Sequence, residues 1–491
     1  MGNKKRAAAG IGLVLTAAFT VTPAVRSFAQ ELLRPVANVR DYGAVGDGVT
    51  NDTAAIQRAE NDMAAKAGIV YFPAGTYIAA GVRIDSNVEF TGEPGATLKH
   101  LNGTSGSHIV TSRVFATKGS IVEGSNRLTV TSTKGVVPGA VIAVRAAGGA
   151  SPVQTSTLST PMPNAANWVS VASNKGWGKE PNYLLVENEV VAYKSLSGST
   201  MQGVTRGALG TAVAFHPAGS RVSQLNVLYA RVAAVGANVI DLDRVAIQGV
   251  RSADVYTGSM NMTIRGLTLD GSRVPGGSTS NPFPLNFELA RGAHVEGCTI
   301  RNGDHGAVRF DKGTVESTIQ GNTLTDNGTV PEGLGAAVWL YRGSSDNVVA
   351  NNVINGLTNL GITPDDRSES ATEYDAPADR NLIVGNVIDI PKVDTVPGNA
   401  AIFVSGSNGN VIEGNDVRST MHGVWLYGST QGIVHASTSG NVVRNNKLAN
   451  HDWGLNVSGN DNWLERNQLA SVLRPFTDKG TGNQFVENTS A

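Results

Sequence analysis

The sequence predicts an all-β chain wound as a right-handed parallel β-helix (a solenoid), with an N-terminal capping helix and an inserted small β module. Three observations carry this: a phrase that recurs through the second half, an apolar rhythm of two inside each repeat, and a glycine-rich, charge-poor composition. The phrase reads Glu-Gly-Cys298-Thr-Ile, Gln-Gly-Asn322-Thr-Leu, Ala-Asn-Asn352-Val-Ile, Val-Gly-Asn386-Val-Ile, Glu-Gly-Asn415-Asp-Val, Arg-Asn-Asn446-Lys-Leu and Glu-Arg-Asn467-Gln-Leu. Its spacings are 24, 30, 34, 29, 31 and 21 residues, so the variation lies in the loops between. A fixed supersecondary unit repeated at this length stacks one layer on the next. Alternation at two marks strands, since a helix would repeat at three and four.

Composition agrees. The chain has 491 residues with 58 glycines, and 16% of them are charged. A helical bundle needs more Leu, Glu and Lys, whereas tight turns between short strands consume glycine. A net charge of −1 argues against nucleic acid as a partner.

The start reads as an export signal. Lys4, Lys5 and Arg6 precede an apolar run from Ala7 to about Val21, and Ser27-Phe28-Ala29 offers a small-x-small cleavage site. Residues 1–29 are therefore expected to be removed, leaving a secreted, more acidic chain with no membrane anchor. Cys298 is the single cysteine, which leaves no intrachain disulfide and no cysteine metal site.

Four regions follow: the signal (1–29), a cap with the first coils (30–115), an insert of different texture (116–230), and the repeats (231–491). Asp47-Gly48 makes a turn. Thr50, Asn51 or Asp52 then caps a helix to about Lys66, buried through Ala54, Ala55, Ile56 and Ala59, which plugs the open end of the solenoid. Capping outweighs a metal-site reading of Asp47 and Asp52. Stacked equivalent positions should make a ladder of Asn322, Asn352, Asn386, Asn415, Asn446 and Asn467 whose amides satisfy one another and the turn backbone. Cys298 takes the same slot one coil earlier, as a small buried apolar residue.

The opening module runs Asn38-Val-Arg-Asp-Tyr-Gly-Ala-Val-Gly-Asp-Gly-Val-Thr-Asn-Asp-Thr-Ala-Ala-Ile-Gln57, then Gly68-Ile-Val-Tyr-Phe-Pro-Ala-Gly-Thr-Tyr77. It resembles the N-terminal signature of the pectate-lyase-like β-helix superfamily of polysaccharide lyases, glycoside hydrolases, epimerases and phage tailspikes. That resemblance implies the fold and a glycan partner, and leaves the reaction open. In the insert, Val186-Glu-Asn-Glu-Val-Val-Ala-Tyr193, Gly203-Val-Thr-Arg-Gly-Ala-Leu-Gly-Thr211 and His216-Pro-Ala-Gly219 resemble a small β module of phage tail and virion proteins.

The working face follows from the alternation. The strands align as Phe287–Ala290, Val308–Asp311, Val338–Tyr341, Ile362–Asp365, Ile402–Ser405, Val424–Tyr427 and Leu455–Ser458. First and third positions are apolar and face inward. Two outward columns remain: Glu288, Arg309, Trp339, Thr363, Phe403, Trp425, Asn456, and Ala290, Asp311, Tyr341, Asp365, Ser405, Tyr427, Ser458. Aromatics and carboxylates on one face mark a glycan-binding surface; the competing expectation is that loops cover the aromatics as a second small core.

Glycoside hydrolysis needs a carboxyl pair. The candidates are Glu288 with Asp311 on adjacent coils, or Asp311 with Asp365 two coils apart, roughly 9–10 Å. Arg309 either holds a carboxylate ionised or simply pairs with Glu288. His305, Trp339, Tyr341, Asp366, Trp425 and Tyr427 are the substrate-binding candidates, and the acidic run from Asp365 to Asp375 is a candidate calcium loop. A uronate lyase would instead neutralise the sugar carboxylate with Arg, a protonated acid or calcium and remove the neighbouring proton with Lys, Arg, His or Tyr, and Arg309, His305, Tyr341 and Lys312 are the candidates for these roles. The Asp-Pro-His motif of alginate epimerases is replaced here by Arg309-Phe310-Asp311, and the paired-aspartate and Gly-His-Gly pattern of polygalacturonases is absent. The expectation is therefore a glycoside hydrolase or glycan-cleaving transferase without a required cofactor, monomeric or trimeric; a polysaccharide lyase comes second, a non-catalytic glycan-binding protein third.

Overall fold

The computed structural model describes residues 34–491 apart from 102–107, 123, 147–154, 175–181, 188, 208–212, 226, 247–249, 274–282, 329–334, 366–377, 393–397 and 429–437. The signal segment and Asp366 lie outside the described residues. Three parallel sheets of 12, 12 and 10 strands form the solenoid. Each coil except the first and the last contributes a short strand to each: Val348–Ala350, Val353–Asn355 and Leu360–Asp365 are one such set. Inward Val, Ile, Leu and Phe from all three sheets form one continuous core.

The asparagine ladder is present. Asn352 Oδ1 accepts from the Asn322 N–H at 3.0 Å and from its amide at 2.9 Å. Asn386, Asn415, Asn446 and Asn467 repeat the pattern, and Asn488 ends it. Cys298 starts it through its N–H, which donates to Asn322 Oδ1. Burial pushes the Cys298 thiol up to about 11, so it packs as an apolar side chain. The residue before each ladder position is left-handed, with φ of 64° at Gly321, 54° at Asn351 and 66° at Gly385. That requirement explains the Gly-Asn and Asn-Asn of the phrase.

A second ladder runs along the turn between the third and first sheets. Asn347, Asn381, Asn410, Asn441, Asn462 and Asn483 bond in the same way, with Ser317 in the first slot. These asparagines stand five residues before those of the first ladder. The two ladders clamp both ends of the first-sheet strands from Thr318–Gln320 to Gln484–Val486.

The helix is Thr53–Ala64. Ala55, Ile56 and Ala59 are buried as expected, but Ala54 is exposed, and Glu60 and Met63 complete the inner side. Asp52 stands at the N-cap without capping. Its carboxylate accepts from the N–H groups of Val45 at 2.7 Å and Gly46 at 3.2 Å, tying the preceding loop to the helix.

The insert is larger than its composition suggests. Strands Phe115–Ile121, Arg127–Val130, Val141–Ala146, Val227–Gly236, Val239–Leu242 and Val250–Thr257 close a barrel with its own core. The solenoid resumes where Thr263–Arg265 pairs with Glu89–Gly92, so the excursion ends near 257 rather than 230. The last barrel strands alternate like the coils, which hides the boundary. The barrel docks on the solenoid through Val141 and Ala143 against Leu289.

Nested between Ala146 and Val227 lies a two-sheet module with a third core around Leu184, Tyr193 and Met201. Its three motif segments converge on buried Glu189. Arg206 grips that carboxylate with two bonds of 2.6 Å, His216 Nε2 lies 3.0 Å away, and the N–H of Gly207 donates at 2.8 Å. Burial pushes Glu189 up, yet His216 and Arg206 outweigh it and hold the carboxyl at about 2. His216 is raised by Glu187 and Glu189 against the opposing effect of its burial. The Glu189 contribution is full above the ordinary carboxylate range and is lost as pH falls through about 2. The His216 contribution is present below the ordinary imidazole value and is lost as pH rises through the raised one. The module is therefore most stable in mildly acidic solution. Glu189→Gln is expected to cost roughly 1.5–3 kcal/mol, read as faster amide exchange confined to residues 182–193 of the full chain; exchange unchanged there would refute the assignment.

Candidate active site

The third sheet carries the outward columns, with one correction. Leu285–Glu288 pairs with Val308–Asp311 so that Asn286 faces Arg309 and Glu288 faces Asp311. The expected register is two residues off, a slip that alternation cannot detect because it leaves every side chain on its own face. The later pairings, Arg309 with Trp339, Trp339 with Thr363, Tyr341 with Asp365 and Phe403 with Trp425, follow the expected alignment.

Asp311 is fully buried. Its Oδ1 accepts from Arg342 Nε at 2.8 Å, its Oδ2 from Arg342 Nη2 at 2.5 Å, and Arg309 Nε lies 3.6 Å from Oδ2. Burial raises this carboxyl, but the charge of Arg309 and the Arg342 hydrogen bond outweigh it and hold it below its ordinary value. A carboxylate clamped between two guanidiniums has no proton to give, so the structure argues against Asp311 as a general acid. Glu288 is likewise engaged, accepting from Lys312 Nζ at 3.1 Å and from the Asn286 amide at 3.2 Å. Lys312, not Arg309, is its ion-pair partner. Asp365 lies two coils beyond Asp311, fully buried.

Arg309 is organised as a donor. Its Nε bonds Asn286 Oδ1 at 2.8 Å, and its guanidinium carbon lies 5.2 Å from the centroid of the Phe283 ring. Its terminal nitrogens carry no hydrogen bond among the described residues. Beside it stands His108, absent from the sequence-derived candidates. His108 Nδ1 donates to the Phe283 carbonyl at 2.9 Å, which fixes the tautomer and leaves Nε2 as the acceptor. Burial and then the charge of Arg309 lower this imidazole to about 4, so it is neutral near pH 7. His305 sets its ring 6.4 Å from Phe283, on the same wall.

The aromatics are less open than expected. Trp339, Tyr341 and Phe403 are buried at 7%, 8% and 6% exposure, while Trp425 and Tyr427 are half-buried in the same cluster. Rings on neighbouring outward positions touch one another: Trp339 and Tyr341 lie 4.9 Å apart, Phe403 and Trp425 5.1 Å. They form a second small core in part. That core is imperfect, because Trp339 Nε1, Trp425 Nε1, Thr363 Oγ1 and Ser405 Oγ are buried without a hydrogen-bond partner. Ordinary cores satisfy such atoms.

Among the described residues no three His, Cys, Asp or Glu side chains gather as a metal site, and no helix is long and apolar enough to cross a membrane. The candidate calcium run lies outside the described residues apart from Asp365.

Two family profiles match the chain: "Rhamnogalacturonase A/epimerase, pectate lyase-like" over residues 36–258, and "Right handed beta helix region" over 232–430. The chain is thus a right-handed parallel β-helix, similar in its first part to pectate-lyase-like proteins and in its repeats to right-handed β-helix regions. More particularly, it is similar to mannuronan C5-epimerase AlgE2 of Azotobacter vinelandii, 48% identical over 64 residues, or 11% of this chain and 6% of the relative. The match thus spans a small part of that protein's length. Among solved structures, the AlgE4 A-module of the same organism is 16% identical with a TM-score of 0.38, covering 91% of this chain and 99% of that one. The surface adhesin PfbA of Streptococcus pneumoniae is 14% identical with a TM-score of 0.43, covering 93% and 98%.

Proposed function

We propose that the protein cleaves a uronic-acid-containing polysaccharide by β-elimination. The observation that carries this reading is Arg309, a half-buried guanidinium with an open fork, set beside an imidazole locked in its neutral form. A guanidinium fork fits a sugar carboxylate, and neutralising that carboxylate acidifies the hydrogen on the adjacent carbon. His108 Nε2 accepts this proton, the released electron pair forms the C4–C5 double bond, and the C4–oxygen bond breaks. Tyr341, one coil on, protonates the departing oxygen. The carboxylate brought by the substrate also offsets the Arg309 charge that depresses His108, making the imidazole a better base once substrate is bound.

Hydrolysis, the first expectation from the sequence, draws less support. It requires one protonated carboxyl, whereas Asp311 is held ionised and Glu288 is engaged by Lys312. The substrate class is tested by comparing polygalacturonate and polymannuronate with the same polymers after chemical reduction of their carboxyl groups. Activity on at least one acidic polymer, abolished by reduction, is expected. Equal activity on a reduced polymer would overturn the reading.

A further inference from the structure

The outward face changes character along the stack. Around Arg309 it holds Glu288, Asp311, Lys312 and Arg342. Three to four coils on it is carried by Phe403, Ser405, Trp425 and Tyr427, with Thr363 just before them. Trp425 lies four strands from Arg309, roughly 19 Å at the spacing of parallel strands. Asp365 is the carboxylate at the border, and His422, stacked 4.3 Å from Trp425, is driven by burial to about 4 and carries no charge at neutral pH.

We propose that Thr363, Phe403, Ser405 and Trp425 form a subsite for an uncharged sugar, so that the polymer acted on carries neutral residues beside its uronates. This deepens the β-elimination reading and rests on it for the uronate half only. Three features point to a neutral ring. The side chains supply flat apolar faces, with Phe403 and Trp425 packed edge to face at 5.1 Å. The polar atoms left over, Thr363 Oγ1, Ser405 Oγ and Trp425 Nε1, are uncharged. Both hydroxyls belong to fully buried residues, where an unmet hydrogen bond costs about 1–3 kcal/mol. A ligand's hydroxyl groups remove that penalty, whereas a sugar carboxylate would find no cation among these residues.

Binding to the full chain is measured by titration calorimetry with cellotetraose, mannotetraose and tetragalacturonate. At least one neutral tetrasaccharide is expected to bind wild type and Arg309→Ala alike, with affinity at least about tenfold weaker in Trp425→Ala. Thr363→Val and Ser405→Ala guard against a folding artefact. Each is expected to weaken neutral-sugar binding while leaving the melting temperature of the free protein unchanged or raised, because the hydroxyl removed has no partner. The proposal is overturned if neither neutral sugar binds, if Trp425→Ala binds it as wild type does, or if either hydroxyl deletion lowers the melting temperature. Unsaturated products with no neutral binding would sink this subsite alone; neutral binding without unsaturated products would sink the reaction and leave the subsite.

Discussion

Arg309→Ala is expected to lower kcat/KM on a uronate polymer about 10²–10³-fold, the loss typical of one removed charge-stabilising donor. The fold should survive, because Asp311 keeps both bonds from Arg342 when the side chain removed gives up its bond to Asn286, its longer 3.6 Å ion pair with Asp311 and its contact with the Phe283 ring. Arg309→Lys should recover part of the substrate binding but little of the turnover, since a point charge replaces a planar fork. A melting temperature close to wild type, together with that split, would distinguish a substrate clamp from a strut. If Arg309→Ala keeps full activity, the clamp is elsewhere.

Asp311→Ala should act in the opposite manner, through stability. It leaves Arg342 and Arg309 without their buried counter-charge, and breaking such a pair from one side costs about 3–5 kcal/mol. The expected readout is a lower urea midpoint. The linkage has a direction: the carboxyl is depressed in the folded state, so its contribution is present above the ordinary carboxylate value and is lost as the solution is acidified below it. Wild type should therefore lose its advantage over Asp311→Ala on acidification. If Asp311 were instead the proton donor of a hydrolase, Asp311→Asn would be inactive with undiminished stability.

Much of the architecture was legible because a solenoid writes its geometry into the chain as a period. The phrase around Asn322 to Asn467 gave the first ladder outright. The second, from Asn347 to Asn483, was equally present five residues upstream but lay outside the phrase, and Ser317 in its first slot blurs the pattern. The outward columns were read in the right order from Arg309 onward. Glu288 was displaced because a two-residue slip preserves the apolar alternation. Arg342 was missed because it follows its strand in a left-handed turn, φ 43°, beyond the alternating segment. His108 was missed for a different reason. It reaches the site from the first coils, 175 residues before the Phe283 carbonyl it bonds, and only the folded stack brings them together. The convergence of Glu189, Arg206 and His216 was hidden in the same way, although their motif segments stood out in the sequence.

The most direct measurement is product analysis after cleavage of an acidic polysaccharide in water enriched in heavy oxygen. β-Elimination breaks the bond without adding water, so the account predicts fragments that carry a carbon–carbon double bond, absorb in the ultraviolet and contain no label. Saturated fragments with heavy oxygen at the new reducing end would mean hydrolysis, and would contradict the roles given to Arg309 and His108.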